Sequence, residues 1–489
     1  MISRFLHILY KTGLAKWRDQ AVGDLFLLTA ARLPDKTMMI MAGAEGEQGR
    51  MTFREGRDLA CRVASFFDKA GLRKGDKVAL VLENRLDYCC YWLGLSMLGV
   101  VPALVNNNLR QQSLLHTLTV AECKAVVFSL QTEAAVLEIT PQLPAGTQLF
   151  CADRGAGQGG AQLPDLLAAQ PASPPHSKQA GYNDPLVYIY TSGTTGMPKA
   201  AVVKHSRYLF AVYALFCGTL LTEDDVIYSP LPMYHTAAGA MITGQAVCEG
   251  VTVVTRPKFS ASKWWADCCE HGVTCAQYIG EIARYLYASP VGPLDTQHNV
   301  RMMFGNGMRP QLWQKFVDRF HIPRICEYYG STEGNCSCSN LTGEKVGAVG
   351  FVSVLFPFIL PLGIVRVDGE SGEPVRDGGT GLAVVCGPDE PGELVGKIEP
   401  GHPVRDFHGY ADNTSTNKKI LKDVYSKGDL YFRSGDILVM DEFGWLYFKD
   451  RAGDTFRWKG ENVSTLEVEA TLSQVSRATI AQFLEYILF

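Results

Sequence analysis

Tyr188-Ile189-Tyr190-Thr191-Ser192-Gly193-Thr194-Thr195-Gly196-Met197-Pro198-Lys199 is a hydroxyl- and glycine-rich loop closed by a lysine. Glycines let backbone N–H groups turn toward an anion, the Ser and Thr side chains add donors, and Lys199 adds a mobile point charge. That is chemistry for gripping phosphates. A Walker A loop places its lysine directly after the last glycine and then starts a helix. Here Met197-Pro198 intervene, and Ala200-Ala201-Val202-Val203 follow as a short apolar run with strand character. Residues 186–190 also read as a strand, so the loop is expected to join two strands. An ordinary Ser/Thr/Gly turn is the plainer alternative.

Outward from the loop, helix and strand alternate. Residues 54–70 have helical spacing, 77–82 form an apolar strand-like run, 88–98 read as helix and 123–128 as strand. The alternation predicts an α/β domain with a largely parallel sheet. Residues 152–184, dominated by Gly, Ala, Gln, Pro and Ser, are expected to form a surface linker. A second alternation runs over 205–338, with a strand at 251–255 and a helix at 261–270. From about residue 347, short β-branched runs separated by glycines predict a β-rich section. Within it, 349–365 is the longest apolar run, but Pro357 and Pro361 interrupt it and a membrane span needs about 20 residues. It is expected in the core.

With 489 residues, 47% of them hydrophobic, the chain has room for a large composite core. A net charge of -4 gives no global attraction to nucleic acid, so anion binding must be local and the partner a small anion. The 14 cysteines form no C-x-x-C pair, which predicts buried free thiols in a reducing compartment. At the N-terminus, Ile2, Phe5, Leu6, Leu9, Tyr10 and Trp17 fall largely on one helical face, with Arg4, Lys11 and Arg18 on the other. Residues 1–18 therefore read as a membrane-surface helix or as a helix docked on the rest of the chain.

Further segments hold groups a nucleotide site can use. Glu327-Tyr328-Tyr329-Gly330-Ser331-Thr332-Glu333 offers an aromatic face for a base, a hydroxyl for a phosphate and an acid for Mg²⁺. Ser434-Gly435-Asp436 sets a short carboxylate after a tight turn, suited to ribose hydroxyls, although an Asx turn has the same composition. Asp450-Arg451 and the following 453–462 combine charge with flexible glycines, as a hinge near an anion needs. His235, in Pro232-Met233-Tyr234-His235, is a lone histidine, a type more often structural than catalytic.

Together these segments resemble the adenylate-forming acyl-CoA synthetases, and most closely the very-long-chain acyl-CoA synthetase and fatty acid transport protein family. Tyr188 to Lys199 resembles the AMP-binding loop, Tyr329 to Glu333 the second nucleotide motif, Ser434 to Asp436 the ribose motif, and Phe304-Gly305-Asn306-Gly307 the glycine loop beside adenine and acyl chain. Residues 450–469, with Arg451 and Gly460, resemble the family's signature, and the Trp458-Lys459-Gly460-Glu461-Asn462 run tells against a luciferase-like or peptide-synthetase module. The resemblance implies ATP, Mg²⁺ and coenzyme A, and a two-step reaction through an acyl adenylate. By it, Thr191, Ser192, Thr194, Thr195 and Lys199 hold the β- and γ-phosphates, Tyr188, Tyr190, Gly193 and Gly196 belong to the same cofactor-binding loop, and Thr332 binds the α-phosphate. Glu333 holds the metal, and Gly305, Asn306, Gly307, Tyr329 and Gly330 surround the adenine. Asp436 and Arg451 hold the ribose, Gly460 sits at the pantetheine path, and His235 stands near the acyl carboxylate. Lys199, His235, Thr332 and Glu333 are the expected catalytic group.

The implied architecture is a large N-terminal domain (19–449) of two α/β subdomains plus a β-rich one, then a hinge and the start of a small C-terminal domain (450–489). The small domain's late lysine is not matched here, which implies weak adenylation and no thioester formation by a shortened end. The implied setting is membrane-associated and cytosol-facing, at the endoplasmic reticulum, peroxisome or plasma membrane. Two other readings remain: a non-catalytic fatty-acid binding or uptake protein that keeps the nucleotide pocket, and a ligase for a bulkier carboxylate such as a bile acid.

Overall fold

The computed structural model describes residues 2–464, apart from 156, 158, 176, 192–196, 333, 370, 403–404, 411–412, 452–454 and 459–460, and without the side chains of 2, 413, 415, 450–451, 455–458 and 461–464. Three sheets carry the fold. The first runs, edge to edge, through Ala161–Gln162, Gln148–Cys151, Cys123–Phe128, Lys77–Val81, Val101–Leu104, Pro185–Thr191 and Lys199–Lys204. It is parallel except at the last pair, where Pro185–Thr191 and Lys199–Lys204 run antiparallel with Thr191 opposite Lys199. The loop of the opening motif thus joins two strands, as its sequence predicts.

The second sheet has the order Cys338–Asn340, Ile325–Tyr329, Met302–Asn306, Cys275–Ile279, Val226–Tyr228, Thr252–Thr255, Thr37–Gly43 and Gly46–Thr52. Its last two strands are a hairpin from the N-terminal part of the chain, and Met39 pairs with Val253. Sequence alternation assigns that hairpin to no sheet. The third sheet is antiparallel: Gly350–Phe351, Trp445–Arg451, Leu430–Met440, Gly392–Lys397 and Leu362–Val365, with Ile420–Lys422 on the side of Leu430–Met440. A separate hairpin pairs Thr455–Trp458 with Glu461–Ser464. The mixed α/β architecture with a β-rich part is the one expected from sequence.

Local chemistry accounts for the helices that set these layers. Phe53–Lys69 begins with a capping box: Thr52 Oγ1 accepts from the Glu55 amide, and the Glu55 carboxylate accepts from the Thr52 amide. Tyr88–Met97 is apolar all round and every one of its residues is buried, as a helix without a polar face must be. One continuous core includes Val78 and Leu80 of the first sheet and Ile227, Val253 and Met302 of the second, so the two α/β layers share their packing. All the cysteines are free thiols, most of them buried.

Two expectations are corrected. The 152–184 segment is not a bare linker: Ala161–Gln162 is an edge strand, and Leu163–Ala168 is a short helix that buries Leu163 and Leu167. The few apolar residues in a polar background are enough to dock it. The 349–365 run is not core along its length: Val354, Leu355, Phe356 and Phe358 are exposed, because Pro357 and Pro361 hold the chain out of the sheet.

The helix His205–Thr219 opens on a buried imidazole whose Nδ1 accepts from the Val22 amide at 3.0 Å. Burial lowers the His205 pKa to about 3, against 6.5 when free. Because the folded value is depressed, the unfolded chain takes up the proton first, and stability is lost as pH falls from about 6.5 toward 3. Thermal melting between pH 7 and pH 5 is expected to fall less steeply in His205→Asn than in the parent chain. Parallel slopes would assign the acid sensitivity to other groups.

Candidate active site

The carboxyl ends of parallel strands converge on one cavity, as in other open α/β sheets. Leu104, Thr191, Ile279, Asn306 and Tyr329, each the last residue of its strand, line a space of about 2370 Å³. Single-ligand pockets hold about 300–1,000 Å³, so there is room for several substrate parts at once.

Groups that the sequence assigns to phosphates line the cavity. Lys199 and Thr191 face each other across the hairpin, and Lys199 Nζ lies 5.5 Å from the centre of the Tyr410 ring. Tyr410 bridges to Ala201 through the backbone, so a segment of the β-rich part is fastened to the phosphate hairpin. Across the cavity, the Thr332 and Thr236 hydroxyls are 2.7 Å apart. His235 precedes Thr236, lines the cavity and packs against Tyr234 at 4.6 Å between ring centres. Lys199, Thr332 and His235 are thus brought to a common space.

Tyr188 and Tyr190 are placed differently from Thr191 and Lys199. Both sit on the face of their strand that packs against the cluster of Leu114 and Leu118, and Tyr188 is not part of the cavity wall. Tyr190 reaches the wall, but its hydroxyl donates to the Thr117 carbonyl at 2.7 Å and anchors a helix. Strand alternation gives i and i+2 the same face, so the two tyrosines go together.

At the far wall the Tyr329 hydroxyl donates to Asp436 Oδ2, and burial, followed by that carboxylate, pushes the phenol well above its ordinary value. Asp436 stands opposite Arg451 in the Leu430–Met440 and Trp445–Arg451 ladder. The Arg451 side chain, Ser192, Gly193, Thr194, Thr195, Gly196, Glu333 and Gly460 lie outside the described residues. Gly330 lines the cavity beside Tyr329.

Asn306 and Gly307 line the cavity, and Gly305 precedes them in the strand Met302–Asn306. A Cβ on Gly305 would lie 2.0 Å from the Tyr278 carbonyl oxygen, and Gly307 has φ 82°. The turn is held by Glu327, buried to 1% exposure, which accepts from the Gly307 amide at 3.1 Å, the Met308 amide at 2.7 Å and the Tyr278 hydroxyl at 2.6 Å. Gly305→Ala is expected to cost roughly 1–3 kcal/mol, read by denaturant unfolding, because backbone must shift. A change within error would mean that the neighbouring strand yields.

Sequence reasoning gave Glu327, Thr236 and Lys419 no role. Lys419 Nζ donates to the Ser434 carbonyl at 3.3 Å and lines the cavity. Thr236 and Lys419 sit in no motif of recognisable spacing, and Glu327 only precedes one. Only folding brings them in.

The cavity suits a nucleotide. Thr191 Oγ1 and Asn306 Oδ1 are buried on its wall with no hydrogen-bond partner among the described residues, a condition that calls for a polar ligand. Among the described residues no group of three His, Cys, Asp or Glu could hold a metal ion.

Comparison with known proteins agrees with this site. Residues 26–392 match the AMP-binding enzyme family. The chain is 43% identical over 483 residues to long-chain fatty acid transport protein 1 of Mus musculus, covering 96% of this chain and 73% of that protein. It is 39% identical over 451 residues to long-chain fatty acid transport protein 2 of Rattus norvegicus, covering 91% and 71%. Among solved structures, a long-chain-fatty-acid-CoA ligase from Archaeoglobus fulgidus superposes with TM-score 0.74 at 21% identity, covering 93% of this chain and 86% of that one. An anthranilate CoA ligase in complex with anthranoyl-AMP superposes with TM-score 0.74 at 19% identity, covering 93% and 82%. The shared fold, the family match over residues 26–392 and the identity along nearly the whole chain lead to one conclusion: this chain belongs to the AMP-binding enzymes and, within them, to the fatty acid transport protein and very-long-chain acyl-CoA synthetase family of AMP-forming ligases.

Proposed function

We propose that the chain activates long-chain or very-long-chain fatty acids to acyl-CoA, using ATP and coenzyme A as co-substrates. The observation that carries this reading is the continuity of the cavity. One cavity holds both the polar groups of Lys199, Thr332 and Asp436 and an apolar section lined by Phe210, Ala211, Ala214, Leu215 and Met241. Phosphate chemistry and a long hydrocarbon are thereby accommodated side by side.

The residues divide the work by chemistry. Lys199 and Thr191, with Ser192, Thr194 and Thr195 of the same loop, orient the β- and γ-phosphates. Thr332, held by Thr236, donates toward the α-phosphate, where charge accumulates as the carboxylate attacks. Tyr329 offers its ring to adenine, and Asp436 and Arg451 take the ribose. Glu333 supplies the carboxylate for Mg²⁺, an ion that binds through one or two protein carboxylates plus substrate phosphates. His235 positions the acyl carboxylate. ATP supplies the activated phosphorus and pyrophosphate as leaving group.

The test is fatty-acid-dependent pyrophosphate exchange across a chain-length series. Exchange is expected with long acyl chains and to be lost in Glu333→Ala. ATP binding with no exchange at any chain length would overturn the ligase reading and favour fatty-acid binding without catalysis.

A further inference from the structure

The N-terminal helix Ile2–Trp17 is mounted with Arg4 and Lys11 toward the protein and Lys16 exposed. Arg4 donates to the Gly218 carbonyl at 3.0 Å, and Lys11 pairs with Glu249 at 2.6 Å. Ile8, Thr12 and Ala15 are buried against the chain. Leu6, Tyr10 and Trp17, which recur at helical spacing, face outward, and Trp17 is 80% exposed. A helix docked only for stability would turn these large apolar side chains in.

A second apolar element lies on the rim of the same cavity. Over residues 346–365 there is no charged side chain, and Leu355 and Phe358 are 79% and 69% exposed. The Phe356 and Phe358 rings meet edge to face at 6.1 Å. Arg405 pins this loop by donating to the Phe358 carbonyl at 3.1 Å and the Ile359 carbonyl at 2.8 Å. Phe356 and Ile359 of the loop and Phe5 and Leu9 of the helix all line the cavity.

Charge selects what covers these surfaces. The helix contains no acidic residue, and Lys16 and Arg18 are exposed at its end. Lys16 is near enough to His402 that, after burial and Arg405, it helps to lower the imidazole's affinity for protons. An aromatic and aliphatic rim with a basic fringe matches the headgroup boundary of an anionic bilayer.

We propose that the loop 354–359 and the outward stripe Leu6, Tyr10 and Trp17 insert together into an anionic membrane surface, so that the acyl end of the cavity opens into the bilayer and takes its substrate laterally. Lateral loading rests on the ligase reading above. Membrane docking does not.

The experiment uses the 489-residue chain in flotation with phosphatidylcholine vesicles containing or lacking phosphatidylserine. The parent chain is expected to float with the anionic vesicles. The double variant Leu355→Asp/Phe358→Asp and the variant Trp17→Asp are each expected to lower the bound fraction at least about tenfold, since each removes buried apolar contact with lipid. Val291→Asp, at an 82% exposed apolar residue outside the cavity rim, is the control and is expected to float as the parent does. Undiminished flotation of the double variant would overturn the proposal. So would a parent chain that self-associates through this rim, seen as a dimer that the double variant abolishes while vesicle binding persists.

Pyrophosphate exchange is measured in parallel with fatty acid presented in vesicles or dispersed in detergent. The double variant is expected to lose at least about tenfold with vesicle-borne substrate and to keep the detergent rate. Equal loss in both would overturn lateral loading. Absence of exchange in the parent chain would count against the ligase reading, while flotation would still decide the docking.

Discussion

Lys199→Ala is expected to lower fatty-acid-dependent pyrophosphate exchange by about 10²- to 10³-fold, the loss that follows removal of one preorganised group from a developing anion. The ammonium is well placed for such an effect. Its residue opens the strand Lys199–Lys204 opposite Thr191, and the strand is fastened from outside by the bridge of Ala201 to Tyr410. The charge therefore needs little reorganisation when phosphate charge builds. The defect should appear in kcat more than in the KM for fatty acid, because Lys199 lies at the polar wall and not in the apolar section. Thermal melting should be unchanged. A variant that exchanges at the parent rate would remove Lys199 from the chemistry.

Glu327→Ala is expected to have the largest effect on stability, a loss on the order of 3–5 kcal/mol. One carboxylate accepts from the Gly307 and Met308 amides and from the Tyr278 hydroxyl, and removing it strands these donors in a buried setting. Because these donors form the turn beneath Gly305 and Asn306, ATP binding should weaken together with stability. Equilibrium unfolding and nucleotide titration on the same preparation check both. Weakened ATP binding without loss of stability would assign Glu327 to the ligand instead of to the turn.

The hairpin that carries the opening motif was legible because the apolar runs on both sides of its glycine- and hydroxyl-rich loop read as strands. The tyrosines within it were not. Tyr188 and Tyr190 share a motif with ligand-binding residues, but strand alternation commits both to the helix-packed face, and only the ladder reveals which face that is. Composition misjudged 349–365, since an apolar run reports what residues prefer and not whether two prolines allow them to reach a core. Glu327 was visible as a residue and invisible as a support, because its partners come from two other strand ends. The Thr37–Gly43 hairpin had strand character but no signal for its partner, since Thr252–Thr255 lies far along the chain.

That remote pairing has a consequence for how the chain is made. Ribosomes add about 5–20 residues per second, so Met39 emerges on the order of ten seconds or more before Val253 can meet it. Through that interval the nascent hairpin carries the unpaired backbone of Thr37–Gly43, a template for any other exposed edge. Cutting the molecule between its two α/β layers would leave Thr252–Thr255 equally bare. The halves of this protein are therefore unsuited to separate production.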